Sequence, residues 1–107
     1  MTYRVVFTET AMEMLLEVSS RRDQQALSRR IHEVAADPQN LGKPLTRELA
    51  DYWSTRAGGQ RYRVIYHLNP VQNVMTVLAV GLRNEGSRED IYARALRLLD
   101  RGNLDPP

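Results

Sequence analysis

The chain has 107 residues, 42% of them hydrophobic and 26% charged, with a net charge of +2 and no cysteine. That is enough for one domain around one modest core, and it excludes disulfides and thiolate metal sites. No apolar run reaches the roughly 20 residues of a membrane-spanning helix, and the N-terminus lacks the basic-then-apolar pattern of a signal peptide. A cytoplasmic location without membrane association is the expectation.

"TYRVVFT", Thr2 to Thr8, alternates and is rich in β-branched residues, which predicts a first strand. In "ETAMEMLLEVSS" the apolar Ala11, Met14, Leu15 and Val18 recur at helical spacing. Thr10 with Glu13 forms a capping-box pattern at its start, and Thr8 is an alternative cap. "RRDQQALSRRIHEVAADP" gives a second helix, with Leu27, Ile31, Val34 and Ala35 as its apolar stripe and Pro38 as its stop. The short junction at Ser19–Arg22 makes the two an antiparallel helical hairpin.

"NLGKPLTRELA" reads as loop, broken by Gly42 and Pro44 and anchored by Leu41, Leu45 and Leu49. "DYWSTR" predicts a second strand ending at the Ala57–Gly58–Gly59 turn. "RYRVIYHL" and "NVMTVLAVGLR" predict a third and a fourth, joined by a turn with Pro70. A polar loop, "NEGSRED", leads to a last helix, "DIYARALRLLDRG", with Gly102 as its C′ residue. Residues 1–100 are then a single domain, and the remaining tail, 101–107, frays at its end. The order β-α-α-β-β-β-α, with strands joined by short turns, predicts an α+β fold: an antiparallel β-sheet with the helical hairpin packed on one face.

The charge is unevenly distributed. Residues 1–53 carry seven basic and eight acidic side chains, whereas Ser54–Asn84 holds Arg56, Arg61, Arg63 and Arg83 and no carboxylate. Strand alternation places Arg61, Arg63, Ile65 and His67 on one face of the third strand. On the fourth it groups Val74, Thr76, Leu78, Val80 and Leu82, against Met75, Val77, Ala79, Gly81 and Arg83. With Arg63 and Arg83 on a shared face, the small Ala79 and Gly81 leave a hollow beside them, to which Arg56 adds a third guanidinium. Two readings stand at this point: arginines solvated on an open sheet face, or an anion site whose like charges await a phosphate. His67 lies on the arginine face as a possible acid or base, or as a structural histidine. His32 has no partner at metal spacing. Tyr92 begins a helix able to return over the arginines.

The chain resembles the RelE/ParE superfamily of toxins from bacterial toxin–antitoxin systems. The resemblance rests on the order of "YRVVFTETAMEMLLEV", "LGKPLTRELADYWSTR", "RYRVIYHL", "VLAVGLR" and a late "IY". It implies a RelE-like fold with the architecture of small microbial ribonucleases. For the RelE branch it implies a metal- and cofactor-independent endoribonuclease that cuts messenger RNA on the ribosome by attack of a ribose 2′-hydroxyl on the adjacent phosphate, and a RelB-like antitoxin as partner. By position, Arg63 and Arg83 match the phosphate-stabilising arginines and Tyr92 the late tyrosine that stacks on a base or takes part in proton transfer. Arg56, Arg61, Lys43 and His67 are the accompanying substrate-binding candidates. The ParE branch shares the fold and poisons DNA gyrase without RNA cleavage, and is the alternative. Two departures stand out: Ser54 occupies a place where a lysine is expected, and the loop from Asn84 to Ile91 is longer than usual.

Overall fold

The computed structural model describes residues 2–102. The tail after Gly102, expected to fray, lies outside the described residues. The elements are β1 (Arg4–Phe7), α1 (Glu9–Glu17), α2 (Arg21–Ala35), α3 (Pro38–Leu41), β2 (Lys43–Pro44), a 3-10 turn (Arg47–Leu49), β3 (Trp53–Ala57), β4 (Tyr62–Asn69), β5 (Val74–Leu82) and α4 (Ile91–Asp100). The α+β class and all three predicted long helices are present. α3, which starts at the Pro38 read as the stop of the second helix, and β2, inside the stretch read as loop, are additions. Among the described residues no helix is long and apolar enough to cross a membrane.

The helix starts follow local chemistry. Thr8 caps α1, its hydroxyl accepting from the Ala11 N–H at 3.0 Å, which decides between the two cap candidates. Ser20 does the same for α2 through the Asp23 N–H at 3.2 Å. Thr8→Ala is expected to cost about 1 kcal/mol. Thr10→Ala, inside the first turn, should stay within about 0.5 kcal/mol. Urea unfolding of the two variants checks the pair, and equal losses would argue against Thr8 as the cap. At the other end of the chain Gly102 has φ 74° and its N–H reaches the Leu99 carbonyl at 3.0 Å, as its C′ role requires.

The five strands run in the order β1-β5-β4-β3-β2. β2 through β5 pair antiparallel, but β1 lies parallel to β5, from Arg4 beside Val74 to Phe7 beside Val77. The sheet is thus mixed where the sequence predicts it antiparallel. The helical hairpin carries the chain from β1 to the far edge, and three reversals then bring β5 back pointing the same way as β1.

A second departure lies within β5. Ile65 is opposite Ala79 but Tyr66 is opposite Val77, so Leu78 is an extra residue, a β-bulge. Beyond it the faces exchange. Met75 and Val77 join Tyr66, Leu68 and Val80, while Thr76 joins His67, so the simple alternation predicted for this strand holds only from Ala79 onward. The hairpin packs on the Tyr62–Val64–Tyr66 face, where Leu27, Ile31 and Val34 of α2 are fully buried with Ala11 and Met14 of α1. Tyr62 donates to Asp23 at 3.0 Å and Tyr66 to the Pro38 carbonyl at 2.7 Å, tying sheet to helices. Burial, then the bond to Asp23, raises the Tyr62 phenol above its ordinary value.

α4 covers part of the opposite face, so helices lie on both sides of the sheet. β1 pairs only with the first half of β5, leaving the second half with an open edge. There an Arg94–Glu17 ion pair of 3.1 Å joins α4 to α1.

Candidate functional site

The Gly58–Gly59 turn and the β3–β4 register set Arg56 directly opposite Arg63. Both glycines have positive φ, 56° and 67°, and a Cβ on Gly58 would meet the Tyr62 ring at 2.6 Å. Like charges facing one another across a ladder destabilise it, yet neither arginine pairs with a carboxylate among the described residues. Arg56 donates to the Gln60 side-chain oxygen at 3.2 Å. Arg63 donates to the Gln60 and Tyr62 carbonyls at 2.7 and 3.0 Å. Lys43 is registered with Ser54 on the same sheet face.

These residues line one cavity of about 580 Å³, together with Ser54, Arg83 and Tyr92. The hollow predicted over Ala79 and Gly81 is filled instead: both are buried, and a Cβ on Gly81 would stand 3.0 Å from the Ile91 side chain. The opening has moved sideways, over β2, β3 and the start of β4. Its back wall includes Arg30 of α2, which sequence reasoning missed. Arg30 pairs with Glu33 and donates to the Arg56 carbonyl at 3.1 Å and the Thr55 hydroxyl at 3.3 Å, fastening α2 to β3.

Arg83 differs from its neighbours. Its N–H extends the β4–β5 ladder to the Arg61 carbonyl, 2.8 Å, but its guanidinium bonds Asp90 at 2.7 Å and lies 4.9 Å from the centre of the Tyr92 ring. The expectation of arginines without a nearby carboxylate therefore fails at Arg83, because the polar loop folds Asp90 back onto it. Asp90 is buried and caps α4, accepting from the Tyr92 N–H at 3.1 Å and the Asn84 N–H at 2.6 Å. Burial alone would raise its carboxyl. The bonds from Arg83 and Asn84, with the Arg83 charge, outweigh that and hold it below the usual carboxylate value. The same bond raises Arg83.

A depressed folded-state value contributes stability in full above the unfolded value of about 4, and loses it as pH falls through the lower folded value. Wild type is expected to melt above Asp90→Asn at pH 7, with the gap closing as pH drops below about 4. A gap independent of pH would exclude the ion pair as its source.

Residues 3–86 match the family described as ParE toxin of type II toxin-antitoxin system, parDE. Toxin RelG of Mycobacterium tuberculosis is 33% identical over 94 residues, covering 88% of this chain and all of RelG. The chain belongs to the RelE/ParE superfamily of type II toxins. In fold, this toxin superposes on one chain of the toxin–antitoxin complex RelBE2 of M. tuberculosis with a TM-score of 0.70 at 32% identity, over 78% of this chain and 100% of that one. A free mutant of the E. coli toxin RelE gives a TM-score of 0.67 at 22% identity, over 91% and 97% of the two chains.

The toxin fold gathers five of the seven predicted site residues, Lys43, Arg56, Arg63, Arg83 and Tyr92, around the one cavity. Arg61 and His67 lie elsewhere. Arg61 precedes β4, so strand alternation does not govern it, and its guanidinium turns toward the Tyr62 ring, 5.8 Å from the centre. His67 shares the face of Arg63 but stands four residues, about 13 Å, further along the strand. It packs edge-on against Tyr52, with ring centres 6.3 Å apart. Ser54, at the place where a lysine was expected, holds the Tyr92 hydroxyl at 2.7 Å. The signal for Asp90 was available: an aspartate directly before an amphipathic helix is a cap by pattern.

Proposed function

We propose that this toxin is a ribosome-dependent mRNA endoribonuclease, working without metal or cofactor. The observation that carries the reading is the Arg56–Arg63 pair, with Lys43 beside it and no carboxylate among the described residues compensating either arginine, in a cavity that Tyr92 also lines. In the reaction a ribose 2′-oxygen attacks the adjacent phosphorus. A 2′,3′-cyclic phosphate forms, and the 5′-oxygen of the next nucleotide leaves and takes a proton. Negative charge builds on the phosphoryl oxygens on the way, and Arg63, Arg56 and Arg83 are the fixed donors that stabilise it. Tyr92 offers a hydroxyl already hydrogen-bonded to Ser54 for proton exchange, or its ring as a stacking surface. Lys43 supplies charge toward the RNA backbone.

The second reading is gyrase poisoning, favoured by the ParE description of the matching family. Two parallel assays separate them. Wild-type protein added to a programmed ribosome should cut the mRNA, with Arg63→Ala or Tyr92→Phe cutting far less. If the mRNA stays intact while gyrase supercoiling is inhibited at stoichiometric protein, the gyrase reading replaces the nuclease one. Either reading brings a RelB-like antitoxin as partner, supported by the antitoxin complexes among the neighbouring folds, and a cytoplasmic site of action. An acidic segment matches the uncompensated cations of the cavity.

A further inference from the structure

We infer that Asp90 is a positioning residue of this site, fixing the Arg83 guanidinium and the Tyr92 ring as one rigid unit. The inference rests on the nuclease reading for its catalytic consequence, but not for its structural content. Three donors converge on one carboxylate. Oδ1 accepts from Arg83 Nη1 at 2.7 Å and from the Asn84 N–H at 2.6 Å, and Oδ2 accepts from the Tyr92 N–H at 3.1 Å. Asn84 begins the loop, Arg83 ends the strand edge of the cavity, and Tyr92 opens α4, so Asp90 locks three segments to one another.

A helix cap alone would need only the Tyr92 N–H. The added bond to Arg83 acts on the site, because Arg83 and Tyr92 also touch each other, cation over ring at 4.9 Å. The phenol's far end is held in turn by Ser54. In the resulting chain Asp90–Arg83–Tyr92–Ser54 the last three line the cavity, while Asp90 is buried and bonded to Arg83 and Tyr92. Asp90 also offsets the charge of Arg83, which weakens that arginine as a long-range attractor of RNA. Attraction then falls to Arg56, Arg63 and Lys43. What Arg83 gains is direction: a long side chain with several rotamers is held in one orientation, with Nη1 on Asp90, Nη2 3.5 Å from the exposed Glu85 carboxylate, and further N–H capacity left for a substrate.

Asp90→Asn is the diagnostic variant, since asparagine caps helices as well as aspartate does but cannot form the ionic bond. Its kcat for mRNA cleavage should fall by roughly 100-fold, the scale expected for a misplaced catalytic group, while KM changes little. In the wild type, the Arg83 guanidinium should show separate nitrogen-15 NMR resonances for its two Nη groups, reporting hindered rotation. In Asp90→Asn they should merge. Asp90→Glu, with its carboxylate displaced by one methylene, should not restore kcat. If the resonances are unchanged in Asp90→Asn, or kcat is retained, the positioning role is wrong. If wild type cuts no mRNA yet the resonances merge, the nuclease reading fails and the positioning of Arg83 stands.

Discussion

Arg83→Ala should lose both activity and stability, and Arg63→Ala activity alone. Each removes a fixed donor from the proposed phosphate site, and loss of one such donor commonly costs 10²–10³-fold in rate. Their structural surroundings differ. Among the described residues Arg63 bonds the Gln60 and Tyr62 carbonyls near an exposed turn and no carboxylate. Its removal should change unfolding free energy by no more than about 1 kcal/mol. Arg83 is the ionic partner of a buried carboxylate. Taking it away leaves Asp90 with its two backbone donors, at a cost of about 1–3 kcal/mol. Strand alternation alone gives Arg83 no structural partner, and the Asp90 bond supplies one. Cleavage assayed per folded molecule, together with urea unfolding, tests both statements. Full stability in Arg83→Ala would contradict the ion pair, and wild-type cleavage by Arg63→Ala would remove that residue from the site.

Gly42→Ala should be among the most destabilising single-methyl changes available in this chain. The backbone of Gly42 is extended, with φ −123°, and suits any residue. Space is the constraint. A Cβ would stand 1.8 Å from the Tyr66 hydroxyl, 2.9 Å from Cζ and 3.1 Å from the Pro38 carbonyl oxygen. Tyr66 is fully buried and its hydroxyl is bound to that same carbonyl at 2.7 Å, so it has nowhere to retreat. Burial pushes the Tyr66 phenol up, against a smaller opposing effect of Arg30, which keeps it a neutral donor. Overpacking and a broken buried hydrogen bond together should cost about 3 kcal/mol. Leu41 and Lys43 flank Gly42 and line the cavity, so cleavage should fall as well. Adding Tyr66→Phe removes the 1.8 Å clash but leaves the one at Cζ, and should recover part of the loss. A Gly42→Ala protein within about 0.5 kcal/mol of wild type would contradict this packing.

Much of the fold was legible because its elements carry local signals. The apolar stripe of α2 and the β-branched runs of β4 and β5 state their own period. The parallel pairing of β1 was not, since nothing within "RVVF" names its neighbour. The bulge at Leu78 was hidden for a related reason: an extra residue in an apolar run looks like any other. At the site, Arg56 and Arg63 were readable from a short turn between two strands, which fixes their register. Arg61 misled because it sits in the turn itself, where alternation has not begun. His67 misled because a shared face says nothing about distance along the strand. Asp90 was overlooked because its cap is local while its bond to Arg83 depends on how the polar loop closes, and loop closure leaves little trace in composition.

The parallel partnership of β1 and β5 also bears on how the molecule comes into being. Arg4 waits for Val74, about 70 residues later in the chain. A protein made from its N-terminus forward therefore produces its first strand long before that strand has anything to pair with. The hairpin's apolar stripe is exposed meanwhile, since the sheet it packs on is made of β3, β4 and β5. Closing so long a loop brings slow, late folding. Asp90 and Tyr92 come later still. The nascent chain is consequently sticky before its sheet can close, and the Asp90–Tyr92 segment of the cavity wall is made only after every strand.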